Sequence, residues 1–170
     1  FNITPYLKDG KNEVMVKVLK RCDGSYLEDQ DFFRLSGIFR NVYLLSRSKV
    51  HIRDVDIRTD LTTINGDISF KINGEEQANS SEEVWAILYH GEQEIDRQKV
   101  TNGKFTFSPA NPKLWTAETP NLYTLVLQMD DEYIPFRVGM RTIAVSELGE
   151  LLVNGVSVKL KGINRHDTHP

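Results

Sequence analysis

The sequence predicts an all-β fold, with a β-sandwich in the middle of the chain and further strands on either side. Short apolar segments recur along the 170 residues, turn-forming residues separate them, and no segment repeats its apolar residues at helical spacing. Short strands at such regular spacing are typical of a sandwich, in which each strand turns one face to the core.

Residues 1–46 contain two predicted strands and are interpreted as the end of one β-domain. Val14, Val16 and Val18 alternate with their neighbours after a turn-like segment, which predicts a strand with one buried face. Residues 38–45 are apolar apart from two positions and predict the second strand.

In residues 50–57 the alternation of apolar side chains changes from even to odd positions. Val50 and Ile52 share one face, whereas Val55 and Ile57 have the opposite parity. Because side chains alternate along a strand, the shift near Arg53 predicts a β-bulge or a strand that changes sheets.

Residues 47–141 are predicted to form a complete sandwich of immunoglobulin-like size. The alternation over residues 68–72 ends at a turn, and the polar residues 75–83 predict a loop. Residues 84–89 are apolar throughout, as in a strand buried on both faces or lying at an interface. The remaining strands are predicted at residues 95–100, 105–107, 122–129 and 133–138.

Residues 142–170 are interpreted as the approach to a third domain. Asn154-Gly155 separates two apolar triplets and predicts a hairpin, because both residues readily adopt the positive φ of a type I′ turn. The chain starts at Phe1 rather than Met and stops in a His-rich polar segment, so we expect it to be a piece of a longer protein.

The composition argues against several functional classes. The net charge of -3 does not fit a dedicated nucleic-acid binder, which usually carries a basic excess. No apolar run approaches the about 20 residues of a membrane span, so we expect no membrane partner. The single cysteine, Cys22, cannot form an internal disulfide, and no secretion leader is visible. We expect a cytoplasmic protein.

Acidic and aromatic residues are crowded into residues 23–40. Carboxylates accept hydrogen bonds from sugar hydroxyls, and aromatic rings cover the apolar face of a pyranose, so the combination indicates carbohydrate binding. The residues concerned, with the two arginines that follow them, are Asp23, Tyr26, Glu28, Asp29, Asp31, Phe32, Phe33, Arg34 and Arg40.

Several segments in this order resemble the β-galactosidases of glycoside hydrolase family two. The most specific are Glu-Asp-Gln-Asp at residues 28–31 and Ser-Gly-Ile-Phe-Arg at residues 36–40. Residues 1–7, 111–123, 138–141 and 162–170 are similar to further segments of that family.

The resemblance implies a three-part architecture: the C-terminal part of a jelly-roll sugar-binding domain at 1–46, an immunoglobulin-like sandwich at 47–141, and the start of a catalytic (β/α)₈ barrel at 142–170. It implies a parent enzyme that hydrolyses terminal β-galactosides with retention. It also implies that this parent enzyme is a homo-oligomer. Such enzymes use two carboxyl groups about 5 Å apart. In the family these are later barrel glutamates, so the chain alone is expected to be inactive.

Asp31 matches the family aspartate that binds a galactose hydroxyl and helps to hold sodium. A carboxylate suits both tasks because it can bridge an ion and a hydroxyl. The alternative is a solvated loop acid or an ion-pair partner of Arg34 or Arg40. The family's magnesium ligands lie mostly beyond the end of the chain. Glu28 and Asp29 are expected to cap the loop or to pair with arginines.

His166 matches the family histidine that contacts galactose and favours the transition state, although it could instead be a structural histidine at a strand end. Thr168 stands at the third position of a four-residue segment where the family often has a histidine. The role of that middle histidine is therefore not carried over to this chain, whereas the role of His166 is. A metal site of His166 with His169 is not expected. Asn164 and Arg165 are expected to order the strand end rather than to act in catalysis.

Two tryptophans could stack on sugars, but Trp115, between two prolines, and Trp85, in an apolar strand, are both expected to be buried. Two other functions stay open. The parent could prefer β-glucuronides or β-mannosides, or the chain could be a free-standing immunoglobulin-like module that binds carbohydrate or protein.

Overall fold

The computed structural model describes residues 1–27 and 36–165, which divide into two compact units. One comprises residues 46–161 and contains all the strands of the described chain; the other comprises residues 1–45 with the segment from Gly162 onward. In chain order the elements are a 3-10 helix Thr4–Tyr6, α1 Gly24–Leu27, β1 Val50–Thr59, β2 Ile64–Ile72, β3 Glu75–Gln77, β4 Val84–His90, β5 Gln93–Lys99, β6 Lys104–Phe107, β7 Tyr123–Met129, β8 Glu132–Val138, β9 Ile143–Val145, β10 Leu151–Val153 and β11 Val156–Ser157.

Two four-stranded antiparallel sheets form the sandwich, which confirms the predicted fold class. In one sheet β2 pairs with β1 on one side and with both β3 and β6 on the other; the second has the order β5-β4-β7-β8. Inward residues of both sheets make one core, as burial of apolar area requires. Its fully buried side chains include Ile64, Ile68, Leu88, Phe107, Leu125 and Leu127.

The phase change in β1 is a β-bulge, as predicted. Ile52 pairs with Phe70, and the register shifts before the next pair, so Arg53 is the extra residue. Ile52 is buried, and Val55 and Ile57 pack against the same core despite their opposite parity. The bulge therefore keeps both halves of the strand facing inward.

Asn-Gly turns close two hairpins. Asn73 and Gly74 both have positive φ, 52° and 96°, as do Asn154 and Gly155, at 52° and 78°. The first turn sets Ile72 opposite Glu75 and thereby adds β3 to the sheet. The prediction of a loop throughout residues 75–83 is thus wrong over Glu75–Gln77, because the turn imposes pairing on polar residues.

A third sheet follows the sandwich, with the order β11-β10-β9. The hairpin of β10 and β11 was predicted, but β9 was not, because three residues give too short a pattern. Residues 159–165 form no strand or helix. The assignment of residues 142–170 to the start of a (β/α)₈ barrel stays a prediction.

The strands predicted near residues 14–19 and 38–45 are absent from the structure. Neither segment pairs with a strand among the described residues, and their apolar side chains are exposed, with Met15 and Phe39 at 85% and 89%. Apolar alternation shows that one face can be buried, but a strand also needs a pairing partner, which the sequence pattern does not identify.

Side chains bridge both seams between the sheets. On one side the Gln98 side-chain amide donates to Thr106 O at 2.7 Å and its oxygen accepts from Thr106 N at 3.4 Å, which links β5 to the edge of β6. On the other, the Thr59 hydroxyl lies 3.1 Å from Gly139 O. A bidentate ion pair, Arg47 with Glu132 at 2.7 and 2.8 Å, ties the start of the unit to the β7–β8 turn.

The turn between β1 and β2 is organised by one carboxylate. Asp60 accepts backbone and hydroxyl hydrogen bonds from Thr62 and Thr63, at 2.6–2.9 Å. These bonds, the Thr62 N–H first among them, hold the pKa of Asp60 well below its usual range because they stabilise the ionised form.

No helix in the described residues could cross a bilayer.

Candidate functional site

The two residues singled out for sugar binding, Asp31 and His166, lie outside the described residues, as do Glu28 and Asp29. Their roles therefore stay predictions. The structure instead describes the segments that border them, residues 22–27 and 36–40 for Asp31 and residues 162–165 for His166.

The border before Asp31 is a tight helical turn. The backbone of Cys22 is joined to Ser25 by two hydrogen bonds, at 3.0 and 3.2 Å, and Tyr26 N donates to Asp23 O at 3.1 Å. The Ser25 hydroxyl, 3.7 Å from the Cys22 sulfur, lowers the pKa of that thiol. Tyr26 is 74% exposed, so its ring is available for contact.

The border after Asp31 also exposes a ring. Gly37 has φ of +119°, a conformation that favours glycine, and Phe39 follows it with its side chain exposed. The Arg40 guanidinium carbon lies 5.7 Å from the Phe39 ring centroid, within cation–π range. The acidic segment is thus bordered by two accessible aromatic side chains, one of them next to a cation.

The border before His166 has no regular structure. Residues 162–165 are exposed and belong to no helix or strand. The ordering role assigned to Asn164 and Arg165 stays a prediction.

The described residues contain no group of three or more His, Cys, Asp or Glu side chains that could hold a metal ion. The predicted sodium contact rests on Asp31, so this structure provides no geometry for it. The same finding applies to magnesium, since the described residues bring no such group of ligands together.

Trp115 is partly buried and forms the centre of a joint between the sandwich and the third sheet. The Arg141 guanidinium carbon lies 4.2 Å from its ring centroid, and a Cβ at Gly139 would be only 3.0 Å from Trp115 side-chain atoms. The Asn154 side chain donates to Trp115 O and accepts from Thr142 N, both at 3.0 Å. With a guanidinium over one ring face, this tryptophan serves packing rather than sugar stacking.

Trp85 differs from the prediction. Val84, Ala86 and Leu88 face the core, whereas Trp85 lies on the outer face of β4 and is half-buried. Its indole N–H donates to Glu83 at 2.6 Å, and Lys99 donates to the same carboxylate at 2.7 Å. These bonds lower the pKa of Glu83, that from Lys99 most. The apolar pattern of β4 arises because its outer face is partly covered too, with Ile87 2% exposed.

Two models of known families match most of the chain. Residues 1–48 match the model described as glycosyl hydrolases family 2, sugar binding domain, and residues 50–141 match that described as glycosyl hydrolases family 2. The chain belongs to glycosyl hydrolase family 2. The family predicted from the sequence is therefore confirmed.

Curated relatives include β-galactosidases. The chain is 40% identical to the protein of that name from Staphylococcus xylosus and 38% identical to that from Actinobacillus pleuropneumoniae, with all of the chain aligned in each case. It spans 17% of the length of each. The aligned part is thus about one sixth of these relatives.

Solved structures of similar fold include β-glucuronidases. That of Lactobacillus rhamnosus superposes with a TM-score of 0.61 at 26% identity, over 82% of this chain and 24% of the other. That of Faecalibacterium prausnitzii has a TM-score of 0.64 at 24% identity, over 78% and 21%. The second similarity supports the fold alone.

Proposed function

We propose that this chain is part of a retaining β-galactosidase that releases terminal, non-reducing β-D-galactose from lactose-type substrates. The observation that carries the proposal is the 40% identity, over the whole chain, with a relative named β-galactosidase. Because the chain spans a small share of that relative, the remaining polypeptide would be its main partner and would supply both catalytic carboxyl groups. The chain alone would then be inactive.

Asp31 would accept hydrogen bonds from a galactose hydroxyl and hold sodium, and His166 would contact the sugar as charge develops in the transition state. The exposed rings of Tyr26 and Phe39, on either side of the Asp31 segment, support a sugar-facing role for this part of the chain. Magnesium would be held elsewhere in the parent protein.

The division into domains at 1–46, 47–141 and 142–170 belongs to the same proposal. The sandwich would serve as a spacer and assembly domain, in an oligomer of identical chains. The described part of the chain has no bilayer-spanning helix, and its single cysteine is unpaired, which supports a cytoplasmic setting.

The experiment is to express the full reading frame that encodes this chain and to measure hydrolysis of a nitrophenyl β-D-galactoside and the matching β-D-glucuronide. An Asp31→Asn variant is compared with Asp9→Asn, which alters an exposed acid outside the acidic and aromatic segment 23–40. Losing hydrogen bonds to a charged group should lower kcat/KM for the galactoside roughly 10- to 150-fold in the first variant only. Its response to sodium should disappear as well.

A preference for the glucuronide would favour the second candidate, a β-glucuronidase, for which the 26% identical structure of TM-score 0.61 is the supporting observation. Hydrolysis of neither substrate by the complete protein would contradict both and leave a binding module. Equal activities of the two Asp variants would remove Asp31 from the site while leaving the enzymatic proposal standing.

A further inference from the structure

A cleft of about 320 Å³ opens at one end of the sandwich. It lies where β4 ends and β7 begins, and residues 108–113, in the connection after β6, form its rim. All its lining residues belong to the unit of residues 46–161. Its size is in the range of small-molecule sites in proteins.

The inner wall of the cleft is apolar and well packed. Leu88 is fully buried and Tyr123 is 3% exposed, while Ile95 and Pro109 extend the apolar surface outward. The His90 ring lies against Tyr123, with centroids 5.2 Å apart and planes inclined by 44°. The wall is therefore held in place by the core rather than by mobile side chains.

The polar side chains of the cleft have few partners among the described residues. The side chains of Ser108, Asn111 and Lys113 make no hydrogen bond or ion pair with any other residue in ranges 1–27 and 36–165, nor does the His90 imidazole donate or accept there. Asp96 accepts one bond, from Arg97 N at 2.7 Å, and has no cationic partner among the same residues. Elsewhere on this sheet, by contrast, Glu83 and Glu94 are paired with basic side chains.

The Tyr123 hydroxyl is the most informative of these groups. It accepts a hydrogen bond from Lys113 N at 2.8 Å, but its own proton has no acceptor within the described residues. A buried phenol normally finds a partner for its proton, because an unmade hydrogen bond of a buried donor is costly. An acceptor in the cleft would satisfy it.

The chemistry of the lining selects the ligand class. The charges of Asp96 and Lys113 cancel, so the cleft suits a neutral ligand. Ser108, Asn111 and Tyr123 provide donors and acceptors together, which matches hydroxyl groups because each of these can both donate and accept. We propose that this cleft binds a monosaccharide of hexose size, with its less polar face on the apolar wall.

The test is a titration of the ¹⁵N-labelled 170-residue chain with D-galactose and with D-glucose, followed by amide chemical shifts. A hexose should cause saturable shifts at Asp96, Asn111 and Lys113, with a dissociation constant on the order of millimolar, as is usual for a small polar ligand in an open site. The Lys113 amide reports directly, because it donates to the Tyr123 hydroxyl.

Lys113→Met and Asp96→Asn should each weaken binding about tenfold, the loss expected when a charge-assisted hydrogen bond is removed. Lys159→Met is the matched control, since Lys159 is exposed and lies outside the cleft, and should leave affinity unchanged. Both site residues are exposed, and unchanged shifts elsewhere in the spectra will show that the variants fold.

Three results would overturn the proposal: no saturable shift at the cleft with either sugar, equal affinities of the Lys113 variant and the control, or equally strong binding of glycine as a zwitterionic probe. Because the titration needs no hydrolysis, its failure would leave the proposed enzymatic function untouched, and failure of the hydrolysis assay would leave this binding site untouched.

Discussion

Gly66→Ala tests the packing of β2 against β6. A Cβ at this position would lie 2.0–2.7 Å from three ring atoms of Phe105, far inside van der Waals contact. Gly66 is buried and its φ is not positive, so the backbone itself would accept alanine. The Phe105 ring therefore opposes the added methyl group.

The expected magnitude follows from two opposing effects. Alanine in a strand is about 0.5–1 kcal/mol more favourable than glycine, because glycine loses more conformational freedom on folding. Overpacking in a core costs typically 1–3 kcal/mol. Phe105 is 4% exposed and pairs directly with Gly66, so its ring has little room to move. We expect the free energy of unfolding to fall by about 1–2 kcal/mol.

Urea unfolding of the 170-residue chain, followed by circular dichroism, measures this change. Gly162→Ala is the control, because a Cβ there would meet nothing within 4 Å. In a Phe105→Leu background the same alanine should cost nothing or stabilise, which gives a coupling of about 1–2 kcal/mol in the double-mutant cycle. A neutral or stabilising Gly66→Ala, or purely additive effects, would refute the reasoning.

Three further predictions concern polar contacts. Removing either partner of the partly exposed Arg47–Glu132 pair should lower the free energy of unfolding by about 0.5–1 kcal/mol, and by less at high salt. A double-mutant cycle that gives a coupling free energy near zero at low salt would contradict this. Because folding lowers the pKa of Asp60, this carboxylate contributes its full share to the free energy of unfolding above about pH 4, the pKa of an aspartate in the unfolded chain, and loses that share as pH falls further. The difference in Tm between the wild type and Asp60→Asn should therefore shrink below about pH 4. A Tm difference that stays constant with pH would count against this prediction. Asn154→Gly keeps the positive φ but removes two side-chain hydrogen bonds, so it should lower the free energy of unfolding by about 1–2 kcal/mol. Hydrogen exchange at the Thr142 amide should become faster, because this amide loses its acceptor. Unaltered exchange there would argue against the role given to Asn154 in joining the sandwich to the third sheet.

The sandwich could be predicted from the sequence because its determinants are local. The bulge at Arg53 could be located because the apolar residues change from even to odd positions there. The Asn-Gly dipeptides at residues 73 and 154 indicated positive φ at both central turn positions. The strands expected at residues 14–19 and 38–45 were wrong because pairing depends on a partner remote in the chain. Alternation carries no information about that partner.

The candidate functional residues also divide into those that local sequence reveals and those that only the fold brings together. Asp31 and His166 come from contiguous motifs, which a sequence displays directly. The cleft lining comes from the end of β4, the middle of β5, a rim segment and the first residue of β7, which only the folded sheets bring together. Nothing in the sequence distinguishes Lys113 or Asp96 from ordinary surface charges, because what sets them apart is that neither has an ion-pair partner among the described residues.

The bridge from Gln98 to Thr106 has a consequence for how the protein behaves in concentrated solution. An exposed strand edge can template the addition of a strand from another molecule, and this is a common route to aggregation. At β6 the outward N–H and C=O of Thr106 are already bonded to the Gln98 amide, so an incoming strand would first have to displace it. The exposed apolar residues 14–19 and 38–45 pair with no strand among the described residues, and no such bridge covers them there. Self-association of the isolated chain should therefore begin in its first 45 residues, and shielding those residues should matter more for solubility than any change to the sandwich.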